Sequence, residues 1–265
     1  MYLAIDIGAT KTLIALFSKH GRCSYRKKFP TNYSSYDFLN ELRENLLPLS
    51  ERKIDRVVLS VPGIVQKNYT FKFGNLPWPS NIAILPLLKE LFSTKISVVN
   101  DADLATFYES SFYSGKSIYL TFSTGIGGGI AKNGIVLPSS KSFEPGHKKY
   151  RFKNRLIEWE DFASSNAIKK DYHVQVTDLK RTKEVYEDVA ARLTPGLIDL
   201  IKTYRPDMII IGGAVGFLYK GLKKPLIKNL SEEIPKKNLP KIVRAKRPLE
   251  SVIYGQYLYA KSHEK

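Results

Sequence analysis

Asp6-Ile7-Gly8-Ala9-Thr10-Lys11-Thr12 and Ser123-Thr124-Gly125-Ile126-Gly127-Gly128-Gly129 decide the fold, and they lie about half a chain apart. Each follows an apolar run of strand character, Tyr2 to Ile5 in one case and Ile118 to Phe122 in the other. Each leads into a second such run, Leu13 to Phe17 and Ile130-Ala131. The second runs end at His20-Gly21 and Asn133-Gly134, and Asn-Gly between apolar strands is a strong hairpin signal. Two strand–turn–strand units of this kind predict a duplicated α/β domain with a phosphate gripped between the halves.

The turns carry suitable chemistry. Glycine lets backbone N–H groups approach a phosphate and tolerates positive φ. Thr10, Thr12 and Thr124 add hydroxyl donors. Asp6 repels phosphate, so its place beside one implies Mg²⁺ between them, through water. The competing reading is two ordinary glycine hairpins with a buried Asp. Neither turn has the GxGxxG spacing of a dinucleotide fingerprint or the Gly-Lys-Ser/Thr of a Walker A loop.

With 265 residues, 43% of them hydrophobic, the chain has room for two domains and a large core. It contains no run of about eighteen apolar residues, so no transmembrane helix is expected. The chain opens directly on a strand-like run, without the features of a secretory signal. Cys23 is the single cysteine, which rules out an internal disulfide and a multi-cysteine zinc site. A cytoplasmic location is the expectation. Net charge is +17, with clusters at Arg151 and Lys153, Lys180 to Lys183, Lys223-Lys224 and Lys236 to Arg247. No nucleic-acid-binding signature accompanies them, so a solvated basic surface is favoured over a nucleic-acid site.

Periodicity predicts strands at Leu3–Ile7, Leu13–Phe17 and Ser24–Phe29, then a helix over Tyr36–Leu47. Arg56–Val61 reads as a buried parallel strand ending at Pro62-Gly63. Lys67 to Asn81 reads as a functional loop, Ala83–Phe92 as a helix, Ile96–Asn100 as a strand, with a helix from Ala102. The second half repeats the order: strands at Ile118–Phe122, Gly129–Lys132 and near Ile135, then a polar insertion over Pro138–Asn154. Helices follow over Leu156–Asp171 and Thr182–Tyr204, with a bend at Pro195-Gly196 in prospect. Met208–Ile211 is a strand ending in Gly212-Gly213, a helix starts near Val215, and the last helix spans Leu249–Lys261. Mixed sheets flanked by helices follow. The domains are expected at 1–110, completed by the C-terminal helix from about 249 to 265, and at 111–248.

Candidate chemistry clusters at three further points. Asn100-Asp101-Ala102 ends a strand and starts a helix, where a carboxylate could take the proton of an acceptor hydroxyl or simply cap the helix. Glu144-Pro145-Gly146-His147 and Glu160 offer carboxylates and an imidazole near Trp159, suited to a polyhydroxylated ligand; an exposed loop His and a helix-surface Glu are the alternatives. Gly212-Gly213 could admit a nucleotide at a helix N-terminus or form a bland strand-to-helix turn. Trp78 could wall a sugar pocket or pack its loop against the core.

Taken together, these motifs resemble the ROK family (repressor, open reading frame, kinase), within the sugar kinase, Hsp70 and actin superfamily. Asp6 to Thr12 is similar to the family's first phosphate motif, with Ala9 for a usual Gly. Val61-Pro62-Gly63, Asn75-Leu76-Pro77-Trp78, Asn100-Asp101-Ala102, Thr124 to Gly129, Glu144-x-Gly146-His147 and Gly212-Gly213 follow in the family's order. The resemblance implies two RNase H-like, actin-like ATPase domains with a cleft between them. It implies an ATP- and Mg²⁺-dependent kinase, a homodimer, that phosphorylates a hexose, with glucose at its 6-hydroxyl as the leading substrate and N-acetylglucosamine, N-acetylmannosamine, fructose or mannose as alternatives. Asp101 is then the general base. Asn75, Asn100, Asp101, Glu144, His147 and Glu160 bind the sugar. Asp6, Gly8, Thr10, Lys11, Thr12, Thr124, Gly125, Gly127, Gly212 and Gly213 bind ATP, with Mg²⁺ near Asp6.

Two departures stand out. ROK kinases usually carry a cysteine-rich zinc motif after the Glu-x-Gly-His segment, and Lys148 to Glu158 contains no cysteine. Glu158-Trp159-Glu160 aligns with the usual Cys-Leu-Glu, so zinc is not expected and His147 must be oriented by other contacts. No helix-turn-helix precedes the first phosphate motif, which argues against a ROK repressor. No nucleic acid or membrane partner is expected. A non-catalytic sugar or nucleotide sensor is the competing function, and a nucleic-acid-binding protein driven by the charge is a third.

Overall fold

The computed structural model describes residues 1–61, 64, 65, 71, 72 and 76–264. The chain divides into two compact units, Met1–Leu104 with Val252–Lys265, and Ala105–Ser251.

The first unit opens with β1 (Tyr2–Ile7), β2 (Lys11–Phe17) and β3 (Cys23–Pro30), followed by α1 (Ser35–Ser50) and β4 (Arg56–Val61). Short strands β5 (Ile64–Val65) and β6 (Phe71–Lys72) pair with each other before α2 (Ile84–Leu91), β7 (Lys95–Asn100) and α3 (Asp101–Ser110). The sheet order is β3-β2-β1-β4-β7. β1 is antiparallel to β2 and parallel to β4, and β4 is parallel to β7. Alternation along β1 sends Leu3, Ile5 and Ile7 into one buried cluster with Phe38, Leu42 and Leu46 of α1 and Leu88 of α2. Tyr2, Ala4 and Asp6 take the other face by the same period. Ser34 caps α1 by accepting the Asp37 N–H at 3.3 Å.

The second unit contains β8 (Lys116–Phe122), β9 (Ile126–Lys132) and β10 (Ile135–Val136), then a hairpin of β11 (Lys149–Phe152) and β12 (Arg155–Glu158). Next come α4 (Trp159–Ala163), α5 (Ser165–Tyr172), α6 (Lys183–Tyr204), β13 (Met208–Gly213), α7 (Tyr219–Glu233) and β14 (Lys241–Arg244). The main sheet runs β10-β9-β8-β13-β14. In each main sheet the first strand in chain order pairs antiparallel with the second and parallel with the fourth, β4 in one and β13 in the other, so the two sheets share one topology. The Asn133-Gly134 turn has φ of 52° and 78°, as a two-residue hairpin of primed type requires. α8 (Ser251–Ser262) closes the chain in the first unit, where Ile253 packs with Ala4, Ala15 and Phe17 on the face of the sheet that carries Asp6.

Two stretches differ from the expectations. The helix expected over Leu156–Asp171 is β12 and two short helices. Lys153 and Asn154 take φ of 47° and 64°, which closes a hairpin inside the supposed loop. Its strands are only partly buried, so no apolar alternation betrays them. Ser164 then breaks the helix and caps α5 by accepting the Ala167 N–H at 3.1 Å. β14 lay hidden in the basic run from Lys236 to Arg247. Pro195 sits within a continuous α6, and Gly196 there makes room for the Trp159 indole: a Cβ would lie 2.3 Å from the ring.

Candidate functional site

The first glycine turn joins β1 to β2. The Gly8 N–H donates to Lys11 O at 3.0 Å, and the Thr31 hydroxyl donates to Gly8 O at 2.8 Å. Thr12 is fully buried and its hydroxyl pairs with that of Thr31 at 2.9 Å, so its oxygen is spent inside the fold. Thr10 and Lys11 are exposed at the tip. The structure adds a cation that the sequence reading missed. β2–β3 pairing brings Lys28 beside Lys11, whose pKa is lowered first by desolvation and then by the Lys28 charge, against the pull of Asp6. Adjacent ammonium groups of this kind favour an anion near them.

Asp6 lies at the end of β1 and accepts the Ser60 hydroxyl at 2.7 Å. Gln256 of α8 donates to Ser60 Oγ at 3.1 Å and to Ile5 O at 2.7 Å, which fixes that hydroxyl. Burial pushes the Asp6 carboxyl up to about 6, against the opposing Ser60 hydrogen bond and Lys11 charge. A carboxylate charged at this cost gains from a nearby divalent cation, so the residue fits Mg²⁺ held through water. Ser60 and Gln256 were also missed; no local spacing links positions 6, 60 and 256.

Asn100 and Asp101 sit where β7 becomes α3. Asn100 Oδ1 accepts the Asp103 N–H at 3.1 Å, the N-cap bond of α3. Asp101 is the first helical residue, with Oδ1 on its neighbour's Ala102 N–H at 2.8 Å. Asn100 thus supplies the N-cap bond, and the Asp101 carboxylate meets a second backbone N–H of the first turn. Trp78 packs against the core: it is buried, its ring centroid lies 4.3 Å from that of Phe38, and Nε1 donates to Asn32 O at 3.1 Å. Asn75, expected to contact sugar, and the Pro62-Gly63 turn lie outside the described residues.

In the second unit the glycine turn and the Glu-Pro-Gly-His segment meet at Glu160. Its Oε2 accepts the Ile126 N–H at 3.1 Å. A Cβ at Gly125 would lie 2.4 Å from that oxygen, and one at Gly146 would lie 2.6 Å from it. A side chain at Gly125 would have to displace that carboxylate, and one at Gly146 would also meet Ile126 O at 2.6 Å. His147 Nδ1 lies 3.0 Å from Glu158 Oε2 and 3.7 Å from Glu160 Oε1. The Glu158 hydrogen bond, with the charges of Glu160, Glu158 and Glu144 behind it, raises the imidazole above its ordinary pKa despite partial burial. Three of the expected groups, Glu144, His147 and Glu160, thus come together with one unexpected one, Glu158. Ligand atoms of His147, Glu158 and Glu160 all lie within 4.8 Å of one another, close enough to hold a metal ion. Between Glu158 and Glu160 stands Trp159, fully buried, edge-on to Phe122, with Nε1 donating to Arg192 O at 3.1 Å.

Ser123 and Thr124 are exposed on the same turn. Gly128 and Gly129 are required by packing, since Cβ atoms there would lie 2.1 Å from Tyr119 O and 2.4 Å from Thr106 Oγ1. Gly127 is different: a Cβ would meet only Thr121 Cγ2, at 3.6 Å. Gly213 has φ of 66° and would clash with the Phe122 backbone, and Gly212 would clash with the Tyr119 hydroxyl. These two glycines are accounted for by the close approach of β13 to β8.

The family model for the ROK family matches residues 2–261. The chain belongs to the ROK family. N-acetylmannosamine kinase of Salmonella newport (strain SL254) is 30% identical over 151 residues, which is 55% of this chain and 52% of that protein. The chain therefore spans about half the length of the curated relatives it matches. Two solved ROK structures resemble it over nearly their whole lengths. One is the Streptomyces griseus ROK glucokinase in complex with glucose and AMPPNP, at TM-score 0.80 and 19% identity, covering 98% of this chain and 99% of that one. The other is the ROK hexokinase from Thermus thermophilus, at TM-score 0.70 and 21% identity, covering 97% of each. The paired sheets of this ROK chain are those of that two-domain, actin-like fold. Among the described residues, no helix is long and apolar enough to cross a membrane.

Proposed function

We propose that this ROK protein is an ATP-dependent sugar kinase that transfers the γ-phosphoryl group to a hexose, with glucose at its 6-hydroxyl as the leading substrate. The observation that carries the reading is the Glu160 carboxylate, which ties the glycine turn at Ile126 to the cluster of Glu144, His147 and Glu158. A phosphate-type turn and a set of hydroxyl-binding groups share one side chain.

In this reading Glu144, His147 and Glu160 hold sugar hydroxyls. Asp101 aligns the acceptor hydroxyl and takes its proton as the oxygen attacks phosphorus. Thr10, Lys11 and Lys28 at the first turn, and Thr124 with the backbone N–H groups about Gly127 at the second, neutralise phosphate charge. Gly8, Gly125, Gly212 and Gly213 shape the backbone there, and Thr12 supports the first turn from inside. Asp6, oriented by Ser60 and Gln256, would hold Mg²⁺, which when bound neutralises charge on the phosphates. Zinc has no part in this reading.

N-acetylmannosamine is the second substrate, favoured by the relatives that carry that name and are up to 30% identical over about half their length. The test is ADP release with ATP and Mg²⁺ over a panel of glucose, mannose, fructose, N-acetylglucosamine and N-acetylmannosamine, with the product's phosphate position read by NMR. Turnover on one of these that is lost in Asp101→Ala is the expected result. Sugar binding without ADP release on any of them would leave the sensor reading in its place.

A further inference from the structure

We propose that Glu158 is a positioning residue for sugar recognition: its carboxylate accepts the His147 Nδ1–H, which leaves Nε2 as the acceptor for a sugar hydroxyl. This rests on the sugar-kinase reading above.

The chain itself brings the two residues together. His147 lies two residues before the β11–β12 hairpin and Glu158 is its last residue, in a register that pairs Lys149 with Glu158, Tyr150 with Ile157 and Phe152 with Arg155. The ladder continues one step beyond, where the Trp159 N–H donates to Lys148 O at 2.9 Å. The hairpin is held from several sides. Lys148 Nζ and the Tyr150 hydroxyl both donate to Asp199, at 2.5 and 3.1 Å. Phe152 stacks on Phe162 with centroids 4.4 Å apart. Trp159, next to Glu158, is fully buried. Backbone pairing and packing therefore set the His147–Glu158 geometry.

Distances separate the two carboxylates. Glu158 is within hydrogen-bond reach of Nδ1 at 3.0 Å, whereas Glu160 at 3.7 Å is not. Glu160 Oε2 is engaged by Ile126, which leaves Oε1 for a ligand. In a neutral imidazole only one nitrogen carries a proton, and the partner of one nitrogen fixes the role of the other. A carboxylate can only accept, so Glu158 selects the Nδ1–H tautomer. The His147 side chain is 61% exposed, so the ring is accessible to a ligand.

The test uses the full chain without nucleotide or Mg²⁺. Glucose and N-acetylmannosamine affinities are measured by calorimetry for wild type, Glu158→Ala and Glu158→Gln, each checked for folding by circular dichroism. The ¹⁵N shifts of His147 are read in mildly alkaline buffer. Wild type is expected to show Nδ1–H. Glu158→Ala should lose about tenfold in sugar affinity, the worth of one hydrogen bond, and shift towards Nε2–H. Glu158→Gln should keep both properties, because its amide oxygen still accepts. Unchanged affinity and tautomer in Glu158→Ala, or an equal loss in Glu158→Gln, would overturn the proposal. So would sugar binding that vanishes on chelation and returns with Zn²⁺, since a metal would then be holding the ring. If wild type binds no sugar, the kinase reading fails instead, while the tautomer still reports whether Glu158 holds His147.

Discussion

Glu160 Oε2 accepts the backbone N–H of Ile126 at 3.1 Å, while the other oxygen of the same carboxylate faces His147. One side chain thus braces a glycine-rich turn and contributes to the cluster proposed to read sugar. The two functions can be separated. Glu160→Ala leaves the Ile126 N–H without its partner and should cost about 1–3 kcal/mol of stability, together with weaker binding of both ATP and sugar. Glu160→Gln keeps an acceptor for that N–H. It should leave stability and the ATP KM near wild type and raise the sugar KM about tenfold or more, through loss of the charged acceptor. Thermal melts and two-substrate kinetics on both variants give the comparison. Equal ATP effects in the two variants would break the link between brace and turn.

The glycines of the second turn make a sharper pair. A methyl at Gly128 would lie 2.1 Å from Tyr119 O, in the middle of the β8–β9 pairing, and backbone there cannot retreat cheaply. Gly128→Ala should destabilise by about 3 kcal/mol or more. A methyl at Gly127 makes only an ordinary 3.6 Å contact with Thr121. Gly127→Ala should change stability by less than about 1 kcal/mol. If phosphate approaches the backbone there, the same variant should raise the ATP KM about tenfold or more while sugar affinity holds. An unchanged ATP KM would take phosphate away from Gly127.

The duplication was legible because its signals are local. Asp6 to Thr12 and Ser123 to Gly129 each stand between apolar runs, and both units form the mixed sheets that such runs predict. The candidate site was legible mainly where its residues stand in short motifs. Glu144 to His147 could be read, but Glu158 could not be linked to His147, because the hairpin that brings it there has strands with no apolar alternation. Ser60 and Gln256 were invisible for another reason: their tie to Asp6 joins three distant positions through hydrogen bonds. Thr12 shows the opposite failure. Its residue type suits phosphate, yet strand alternation turns its hydroxyl inward to Thr31.

Adjacent residues at the start of α3 should separate structure from chemistry. Asn100 supplies the cap, so Asn100→Ala should cost about 1 kcal/mol of stability. Asp101→Asn leaves that cap in place and should melt close to wild type. As the proposed base it should lose about 10²- to 10⁴-fold in kcat, with the sugar KM changed only a few-fold. Steady-state kinetics beside melts on the two variants would show the split. Near-normal turnover by Asp101→Asn would remove the base from this position.

Asp6 offers a pH test that needs no turnover. Without Mg²⁺ its carboxyl is raised to about 6 by burial, above the unfolded value of about 3.9. The folded state then holds this proton more tightly than the unfolded chain does. The stability so gained is complete below about pH 4 and is lost as the pH rises to about 6 and beyond. Asp6→Asn is neutral throughout and escapes that loss. In chelator it should be more stable than wild type at pH 8 by about 2–3 kcal/mol, with the difference shrinking towards pH 4. Added Mg²⁺ and ATP should raise the wild-type melting temperature and do less for Asp6→Asn, which should also lose most of its kcat. A difference in stability that stays flat across this range would show that Asp6 keeps an ordinary carboxylate pKa, and the case for a cation beside it would lose its electrostatic support.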